Sequence, residues 1–249
     1  MLNRRDLLVN SGAVAGAATA GILQGRAEEE RAARRLHIVV AGAHPGDPEA
    51  ACGGTMALLA DRGHEVIALY TTRGERGIAG KSSAEAGAIR TREGEKACAL
   101  LKARPLFADQ VDADTRITPA HYDSFRRLLE TAKPDAVLTH WPLDTHRDHR
   151  GCALLVYDAW LTLGRKFGLY FFEVSTGQET QHFRPTDYVN ITAVEQRKRA
   201  ACFAHASQNP RTFYADCLDM QRFRGRETGC KHAEAFIHHE QSPRHGLPA

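Results

Sequence analysis

Two short segments of this sequence combine histidines and carboxylates at spacings that suit a metal site. In the first segment, Ala43–Glu49, a histidine (His44) and an aspartate (Asp47) stand three residues apart in a proline-containing turn, so both can face one ion. A further ligand from the second segment, Asp144–His149, would complete a set of two imidazoles and one carboxylate. Such a set leaves positions open for water and substrate, as catalytic metal sites do. The spacing therefore predicts a site for Zn²⁺ or another divalent metal such as Fe²⁺.

The spacing alone leaves open which residue of the second segment binds the metal. Asp148 could hydrogen-bond a ligating imidazole and thereby fix its tautomer and orientation. The alternatives are ordinary ones, because a histidine after a strand is often a satisfied polar residue and Asp144–Arg150 could be a solvated, capped helix start. Two such clusters at the ends of two predicted strands make coincidence the weaker explanation.

The order of apolar and amphipathic runs predicts an α/β fold. Short apolar runs of strand type alternate with longer helical runs from residue 36 onward. The predicted strands are 36–41, 66–70, 106–111, 136–139 and 169–174, and the predicted helices are 50–62, 84–102, 120–132, 150–163 and 194–207. This alternation is typical of a Rossmann-like, three-layer fold, in which helices cover both faces of a mostly parallel sheet.

The predicted fold brings the reactive residues together. In parallel sheets of this kind, functional groups gather at the carboxyl ends of the strands. His44 and Asp47 follow the first predicted strand, Arg73 follows the second, and the second segment follows strand 136–139. We therefore expect all of them at one edge of the sheet. The first strand-to-helix turn lacks the Gly-x-Gly-x-x-Gly pattern, which argues against a nucleotide-binding Rossmann enzyme.

Length and composition fit one globular domain. The 249 residues are 43% hydrophobic and 25% charged, and these proportions are ordinary for a globular protein. The formal net charge of +3 is mild, and the sequence has no aromatic-studded basic stripe, so we do not expect nucleic acid as a partner. We expect residues 31–249 to form a single domain, and the sequence leaves open whether that domain forms a homo-oligomer.

Residues 1–30 have the features of an export signal. Asn3–Leu8 resembles the twin-arginine motif, and a run rich in small residues follows it. That run is too short and too rich in Ala and Gly for a stable membrane span. The twin-arginine route predicts a periplasmic or extracellular location. We expect the six cysteines to be mostly reduced and structural, because folding would precede export from a reducing cytoplasm.

The same residues resemble a known family. His44–Glu49 is similar to the H-P-D-D-x-E motif of the PIG-L/LmbE-like N-acetylglucosaminyl deacetylases, and His146–His149 to their H-x-D-H motif. Further motifs extend the resemblance to about residue 237: Gly53–Thr55, Thr72–Glu75, Arg90–Glu93, His205–Gln208, Arg224–Gly225 and Ala233–Phe236. The resemblance implies a metal-dependent hydrolase that removes an N-acetyl or other N-acyl group from an amino sugar or glycoconjugate by attack of metal-bound water.

The resemblance also implies roles for individual residues of the two segments. His44, Asp47 and His149 match the family positions that hold the metal, usually zinc. His146 matches the histidine that stabilises the tetrahedral oxyanion or protonates the amine, and Asp148 matches the aspartate that tunes a nearby histidine. A saccharide or glycoconjugate is the substrate class that follows from these matches.

Two arginines are the substrate-binding candidates. Arg90 matches the arginine of the family's R-x-x-E motif, so the resemblance implies that it lies near the substrate. Glu93 of the same motif would anchor that arginine or the fold. Arg73 belongs to the Thr72–Glu75 motif and follows the second predicted strand, so we expect it at the same edge of the sheet.

Gly46 departs from the family motif where the family carries its general base, the first aspartate of the pair. General-base help is typically worth about 10²–10⁴-fold in rate. Three interpretations remain open. Glu49 or Asp144 is the base instead; the metal alone lowers the pKa of its water enough; or the chain is a degenerate member that binds metal and glycan without turnover. Glycine also permits a loop conformation that aspartate would resist.

Overall fold

Seven strands form one sheet in the computed structural model, which describes residues 34–244, 247 and 248. The strands are β1 (His37–Gly42), β2 (Glu65–Thr72), β3 (Arg104–Gln110), β4 (Ala136–His140), β5 (Gly168–Phe172), β6 (Asp187–Asn190) and β7 (Ala233–His238). The helices are α1 (Asp47–Asp61), α2 (Ser83–Leu101), α3 (Pro119–Ala132), α4 (Arg147–Thr162), α5 (Glu195–Phe203) and α6 (Pro210–Thr228), with a 3₁₀ helix over Ala206–Gln208. None of these helices is long and apolar enough to cross a bilayer. The predicted export signal, residues 1–30, lies outside the described residues.

The sheet has the strand order β3-β2-β1-β4-β5-β7-β6. Strands β1 to β5 are parallel to one another, and β7 is antiparallel to both β5 and β6. The chain builds outward from β1 in one direction and then, from β4, in the other. At such a switch point a crevice opens beyond the carboxyl ends of the two central strands. The predicted Rossmann-like, mostly parallel sheet is confirmed, although the sequence did not predict β6, α6 or β7.

Side chains of each strand alternate between two buried layers. In β1, Ile38 and Val40 belong to one apolar cluster, and Val39 and Ala41 belong to another, as the two-residue period of a strand requires. Helices α1, α2 and α5 cover the first cluster, and α3 and α4 cover the second. Parallel strands buried on both faces hold the loops at their ends in place.

Helices α1 and α4 begin at the two segments that carry the candidate site. Helix α1 begins at Asp47, three residues earlier than predicted, with Gly46 as its N-cap. Helix α4 begins at Arg147, and the His146 side chain caps it by accepting a hydrogen bond from the Asp148 amide. The candidate ligands therefore stand in the first turns of helices, next to the crevice.

Most of the cysteines are core residues. Five of the six are buried, and the structure contains them all as free thiols. Burial raises the pKa of Cys98 to about 12 and that of Cys152 to about 11. A thiol with so high a pKa stays protonated at neutral pH and is a poor nucleophile. This is the behaviour expected of structural cysteines.

Glu234, in a buried ion pair, joins two of the motifs that the sequence singled out. Lys198 Nζ donates to Glu234 Oε1 at 2.6 Å, and both side chains are almost fully buried. Glu234 also accepts hydrogen bonds from the amides of Gly54 and Thr55, at 2.8 and 2.7 Å. Burial lowers the pKa of Lys198, but the neighbouring Glu234 outweighs it and the net shift is upward. The pair thus ties β7 and α5 to the middle of α1.

We expect Glu234→Gln to lower the free energy of unfolding by about 3–5 kcal/mol, because Lys198 would be left as a buried charge without a counter-charge. Urea denaturation measures this loss. Glu130→Gln, in the exposed pair with Arg126, is the control and should change stability by less than about 1 kcal/mol. Equal losses in the two variants would contradict the role of the buried pair.

Candidate active site

The two predicted histidine ligands, His44 and His149, both lie next to one carboxylate oxygen of the third, Asp47. Asp47 Oδ2 lies 3.3 Å from His44 Nδ1 and 3.5 Å from His149 Nε2. Two donors bound at about 2.0–2.2 Å to one tetrahedral zinc ion would be about 3.3–3.6 Å apart. Each of these two pairs therefore has a separation that suits donors to one zinc-type ion. His44 and His149 also lie close enough to His146, and Asp47 and His149 close enough to His140, to hold an ion together.

The charges of these three groups are mutually dependent. Burial alone would raise the pKa of Asp47, but His149 and His44 outweigh burial and hold that pKa well below its usual range. Burial would likewise lower the pKa of each of these histidines, but the neighbouring carboxylates, Asp47 first among them, more than offset it, so both pKa values are raised. A bound cation would supply the positive charge that protons on the imidazoles otherwise supply, so cation and protons compete for the site.

His140, the last residue of β4, belongs to the cluster, although the sequence did not single it out as a ligand. Its Nε2 lies 3.3 Å from Asp47 Oδ2 and accepts a hydrogen bond from the Ala43 amide at 3.0 Å. Burial lowers the pKa of His140 to about 4, so the ring is neutral at physiological pH. The ring stacks on His149 with the centroids 4.0 Å apart. The Ala43 amide occupies the Nε2 lone pair, which suits a supporting role, and His140 also lies close enough to Asp47 and His149 to hold an ion with them.

The ring nitrogen of His44 that faces away from Asp47 contacts two carboxylates. His44 Nε2 lies 3.2 Å from Asp148 Oδ2 and 3.1 Å from Asp112 Oδ1. Asp148 is fully buried and accepts hydrogen bonds from the amides of Ala113 and Thr115, at 2.7 and 3.2 Å. Carboxylates in this position orient a ligating imidazole and fix its tautomer. Asp148 therefore lies beside a candidate ligand, as the sequence suggested, and Asp112 is an addition that it did not suggest.

Asp144 lies behind His149 and does not line the cavity. Its Oδ1 accepts a hydrogen bond from the His146 amide at 2.7 Å and lies 3.2 Å from His149 Nδ1. The hydroxyl of Thr180 donates to its Oδ2 at 3.1 Å. Both oxygens are engaged inside the protein, so the position of Asp144 does not support the expectation that it is a general base. Its contacts suit the orientation of His149.

Glu49, the other candidate base, lies beneath the loop and is fully buried. The Tyr70 hydroxyl donates to its Oε1, and the Gly46 amide donates to its Oε2 at 3.0 Å. These contacts make Glu49 part of the capping arrangement at the start of α1. With both oxygens occupied and no access to the cavity, Glu49 holds the loop in place and is not positioned to take a proton from a substrate-side water.

Gly46 adopts a backbone conformation that L-residues rarely adopt. Its φ is 118°, in a region of φ/ψ space occupied almost only by glycine. A Cβ placed on Gly46 would have room, since its nearest neighbours are ring atoms of His205 at 3.9 Å. Backbone strain, and not lack of space, is therefore the barrier to an aspartate at this position.

Gly46→Asp should therefore lower the free energy of unfolding by about 1–3 kcal/mol. Gly46→Ala carries the same backbone strain without a carboxylate, so it should lose a similar amount. Chemical denaturation of both variants beside the wild type measures the effect. An aspartate variant as stable as the wild type would show that the loop can adopt another conformation at no cost.

A cavity of about 460 Å³ opens at the cluster, a volume that suits a small-molecule ligand. The polar part of its lining includes His44, Asp47 and His149. Val174 and Phe213 contribute an apolar part. The cavity therefore offers an ion-binding end and a surface for the rest of a substrate.

The two predicted substrate-binding arginines have different surroundings. Arg90 lines the cavity, but its guanidinium donates to the Pro45 carbonyl at 2.7 Å and to the Gly74 carbonyl at 3.2 Å. It therefore holds two loops together. Arg73 lies outside the cavity, where it donates to Asp109 at 2.7 Å and covers the ring of Phe107. The position of Arg73 thus does not support the expectation that it binds substrate, because its guanidinium already contacts Asp109 and Phe107 at the surface.

Glu179 is a cavity-lining carboxylate that the sequence did not single out. Its side chain is 38% exposed, and one oxygen lies 3.8 Å from His149 Nδ1. Partial burial raises the pKa of Glu179, and the charges of Asp47 and Asp144 raise it further, against a lowering by His149. Within the described ranges its carboxylate accepts no hydrogen bond. It follows the carboxyl end of β5, so the rule that located His44 would also have located it.

His146 lines the cavity next to the candidate ligands. Its Nδ1 accepts the hydrogen bond from the Asp148 amide at 3.2 Å, so the neutral ring carries its proton on Nε2. Its centroid lies 4.9 Å from that of His44 and 4.6 Å from that of His149. Burial lowers the pKa of His146, and the charges of these two histidines lower it further. A neutral imidazole with a free N–H can donate a hydrogen bond to a substrate oxygen.

Known proteins share both the sequence segments and the fold described above. The family model described as GlcNAc-PI de-N-acetylase (PIG-L) matches residues 39–160, which include both segments. A conserved protein from Thermus thermophilus superposes with a TM-score of 0.72 at 27% identity, covering 86% of this chain and 97% of that one. The N,N′-diacetylchitobiose deacetylase of Pyrococcus horikoshii gives a TM-score of 0.72 at 23% identity, covering 83% of this chain and 86% of that one.

A third similar structure carries a different activity in its name. The 4-carboxy-2-hydroxymuconate hydratase GalB of Pseudomonas putida KT2440 gives a TM-score of 0.71 at 23% identity, covering 85% of this chain and 98% of that one. One fold thus serves a deacetylase and a hydratase, so the fold alone does not select the reaction. The family match over residues 39–160, the sheet and the His-Asp-His cluster agree, and this chain is similar to the PIG-L de-N-acetylases in that region and in its fold.

Proposed function

We propose that this protein is a metal-dependent hydrolase that removes an N-acyl group, such as acetyl, from an amino sugar or glycoconjugate. One observation carries the proposal. Nitrogen atoms of His44 and His149 lie 3.3 and 3.5 Å from Asp47 Oδ2, and these separations suit donors to a common ion. The match of residues 39–160 to the GlcNAc-PI de-N-acetylase family model supports the reaction class. The named activity of the Pyrococcus neighbour, a diacetylchitobiose deacetylase, supports a saccharide substrate.

The three residues would hold Zn²⁺ or a similar divalent ion such as Fe²⁺. When bound, such an ion polarises a carbonyl group and lowers the pKa of a coordinated water to about 7. Asp148 and Asp112 keep the His44 ring in one orientation, and Asp144 lies where it does the same for His149.

His146 would act on the substrate's acyl group. Its Nε2 proton faces the cavity side of the cluster, because Nδ1 is turned to the Asp148 amide. Hydrogen bonding from Nε2 to the carbonyl oxygen would stabilise the negative charge that develops there during attack. The same proton could pass to the departing amine.

Glu179 would accept the proton that the attacking water loses. It replaces the missing aspartate at Gly46 in this role, because it lines the cavity and its oxygens are free of hydrogen bonds within the described chain. Its raised pKa brings the carboxylate closer to the range in which it can both accept and return a proton near neutral pH.

The twin-arginine-like amino terminus supports a role outside the cytoplasm, where cell-wall and environmental glycans are found. Fractionation of cells that produce the full chain tests this location. Recovery of the protein only in the cytoplasm would contradict it.

Release of acetate from a panel of N-acetylated mono- and oligosaccharides tests the reaction itself. The full chain would be assayed after chelation and again after addition of zinc. We expect release that chelation stops and zinc restores. A protein that binds one ion and releases nothing from any member of the panel would instead be a degenerate member that holds metal and glycan without turnover.

A further inference from the structure

We propose that Arg76 recognises an anionic group, a carboxylate or a phosphate, on the substrate. The proposal rests on the proposed function and narrows its substrate class to N-acylated amino sugars that carry a negative charge. Arg76 belongs to neither of the two segments, and the sequence motifs did not single it out.

The position of Arg76 relative to the metal site is fixed by backbone contacts. Its amide donates to Asp112 Oδ2 at 2.9 Å, and the other oxygen of Asp112 lies 3.1 Å from His44 Nε2. One carboxylate therefore connects the Arg76 backbone to a candidate ligand. The next residue, Gly77, is held by a turn to Gly74 and by the side chain of Gln208, which donates to its carbonyl at 3.2 Å.

The guanidinium of Arg76 is available to a ligand. Arg76 is an exposed residue of the cavity lining, and among the described residues its side chain makes no ion pair and no hydrogen bond. The other arginine of the cavity, Arg90, already donates to two backbone carbonyls. Because Asp112 contacts both the Arg76 amide and His44 Nε2, the Arg76 side chain starts close to the place where the acyl group of a substrate would lie.

The cavity lining is rich in carboxylates, so an anionic substrate needs a cationic side chain such as Arg76 to bind there. Asp47, Asp112 and Glu179 all contribute carboxylates to the lining, and these would repel an anionic substrate. A guanidinium binds carboxylates and phosphates with paired, charge-assisted hydrogen bonds. If Arg76 acted only by offsetting the negative charge of the lining, Arg76→Lys would keep the whole preference for anionic ligands. Paired hydrogen bonds need the guanidinium, so the two roles can be separated by experiment.

The test compares dissociation constants for N-acetylglucosamine, N-acetylmuramic acid and N-acetylglucosamine 6-phosphate, measured by titration calorimetry with the zinc-loaded full chain. The first sugar is neutral, and the other two carry a carboxylate and a phosphate. Arg76→Gln is the test variant, and Arg76→Lys keeps the charge. Arg92→Gln is the control: it removes an exposed arginine outside the cavity and so gives the same net charge as Arg76→Gln.

We expect the wild type to bind at least one anionic sugar about 10–100-fold more tightly than the neutral one, as a charge-assisted pair provides. Arg76→Gln should bring that ratio close to one, Arg76→Lys should keep part of it, and Arg92→Gln should keep all of it. The sugar that loses its advantage identifies the anionic group. A wild-type ratio near one for both anionic sugars, or a ratio unchanged in Arg76→Gln, overturns the proposal. Because binding is the readout, this result is independent of whether any acetate is released.

Discussion

Replacement of His149 by alanine is expected to abolish metal binding and to reduce hydrolysis to the background rate. His149 would supply one of three donors, its Nε2 lies 3.5 Å from Asp47 Oδ2, and its ring stacks on His140. Removal of the ring leaves one imidazole and one carboxylate, too few ligands to hold a catalytic ion. Metal content after dialysis and acetate release from the same preparation measure the two effects.

His121→Ala is the control for this prediction, since His121 lies on α3 and contacts Thr118 outside the cluster. It should keep both metal and activity. In the wild type, metal should bind more tightly as the pH rises, because the raised pKa values of His44 and His149 mean that protons compete with the ion at neutral pH. A His149→Ala protein that keeps one tightly bound ion would contradict the ligand assignment.

Glu179→Gln is expected to lower kcat by about 10²–10⁴-fold, the usual contribution of a general base, while metal content stays at the wild-type value. The amide keeps the size of the side chain but cannot accept the proton. The acid limb of the kcat–pH profile should disappear, because that limb reports protonation of the base.

Asp144→Asn gives the contrasting result. Asp144 lies behind His149 and outside the cavity, so its loss should weaken metal affinity by about 10–100-fold and leave the shape of the pH profile intact once metal is in excess. If Glu179→Gln keeps the wild-type kcat, the proton acceptor lies elsewhere. If Asp144→Asn loses the acid limb, the base is Asp144 and its buried contacts must open during turnover.

The sequence predicted the central part of the fold because that part has strong periodic signals. Strands β1, β2, β4 and β5 are short apolar runs buried on both faces, and longer helical runs separate them along the chain. The carboxyl-terminal part has weaker signals. Strand β6 has four residues, of which only Val189 is buried, and α6 is a polar helix whose buried residues include Gln221 and Arg224.

The candidate ligands could be predicted because spacing and fold point to the same residues. His44 and Asp47 lie in one turn after β1, and both segments follow strands that are neighbours in the sheet. Asp112 and Glu179 follow β3 and β5 at the same edge of the sheet. The rule that functional groups gather at the carboxyl ends of parallel strands therefore applies to them too. Single acidic residues in loops carry no spacing pattern, however, and that is why only the structure distinguishes them from other surface carboxylates.

The structure does not support Glu49 or Asp144 as the general base. The reason is the direction of their side chains, which the spacing of residues in the sequence does not reveal. Glu49 and Asp144 are as close to the motif histidines as a base must be, but their oxygens point into the protein and are taken by Tyr70, Thr180 and backbone amides. Direction and hydrogen bonding, and not distance along the chain, decide which carboxylate meets the substrate. The same holds for Arg73, whose guanidinium turns to Asp109 at the surface.

The most direct measurement is anomalous diffraction at the zinc edge from crystals of the full chain grown with zinc. We predict one strong peak at about 2.0–2.2 Å from His44 Nδ1, Asp47 Oδ2 and His149 Nε2. A peak held by other groups, such as Asp144 and Glu179, or no ordered zinc at any site, would contradict the assignment of this cluster as the catalytic metal centre.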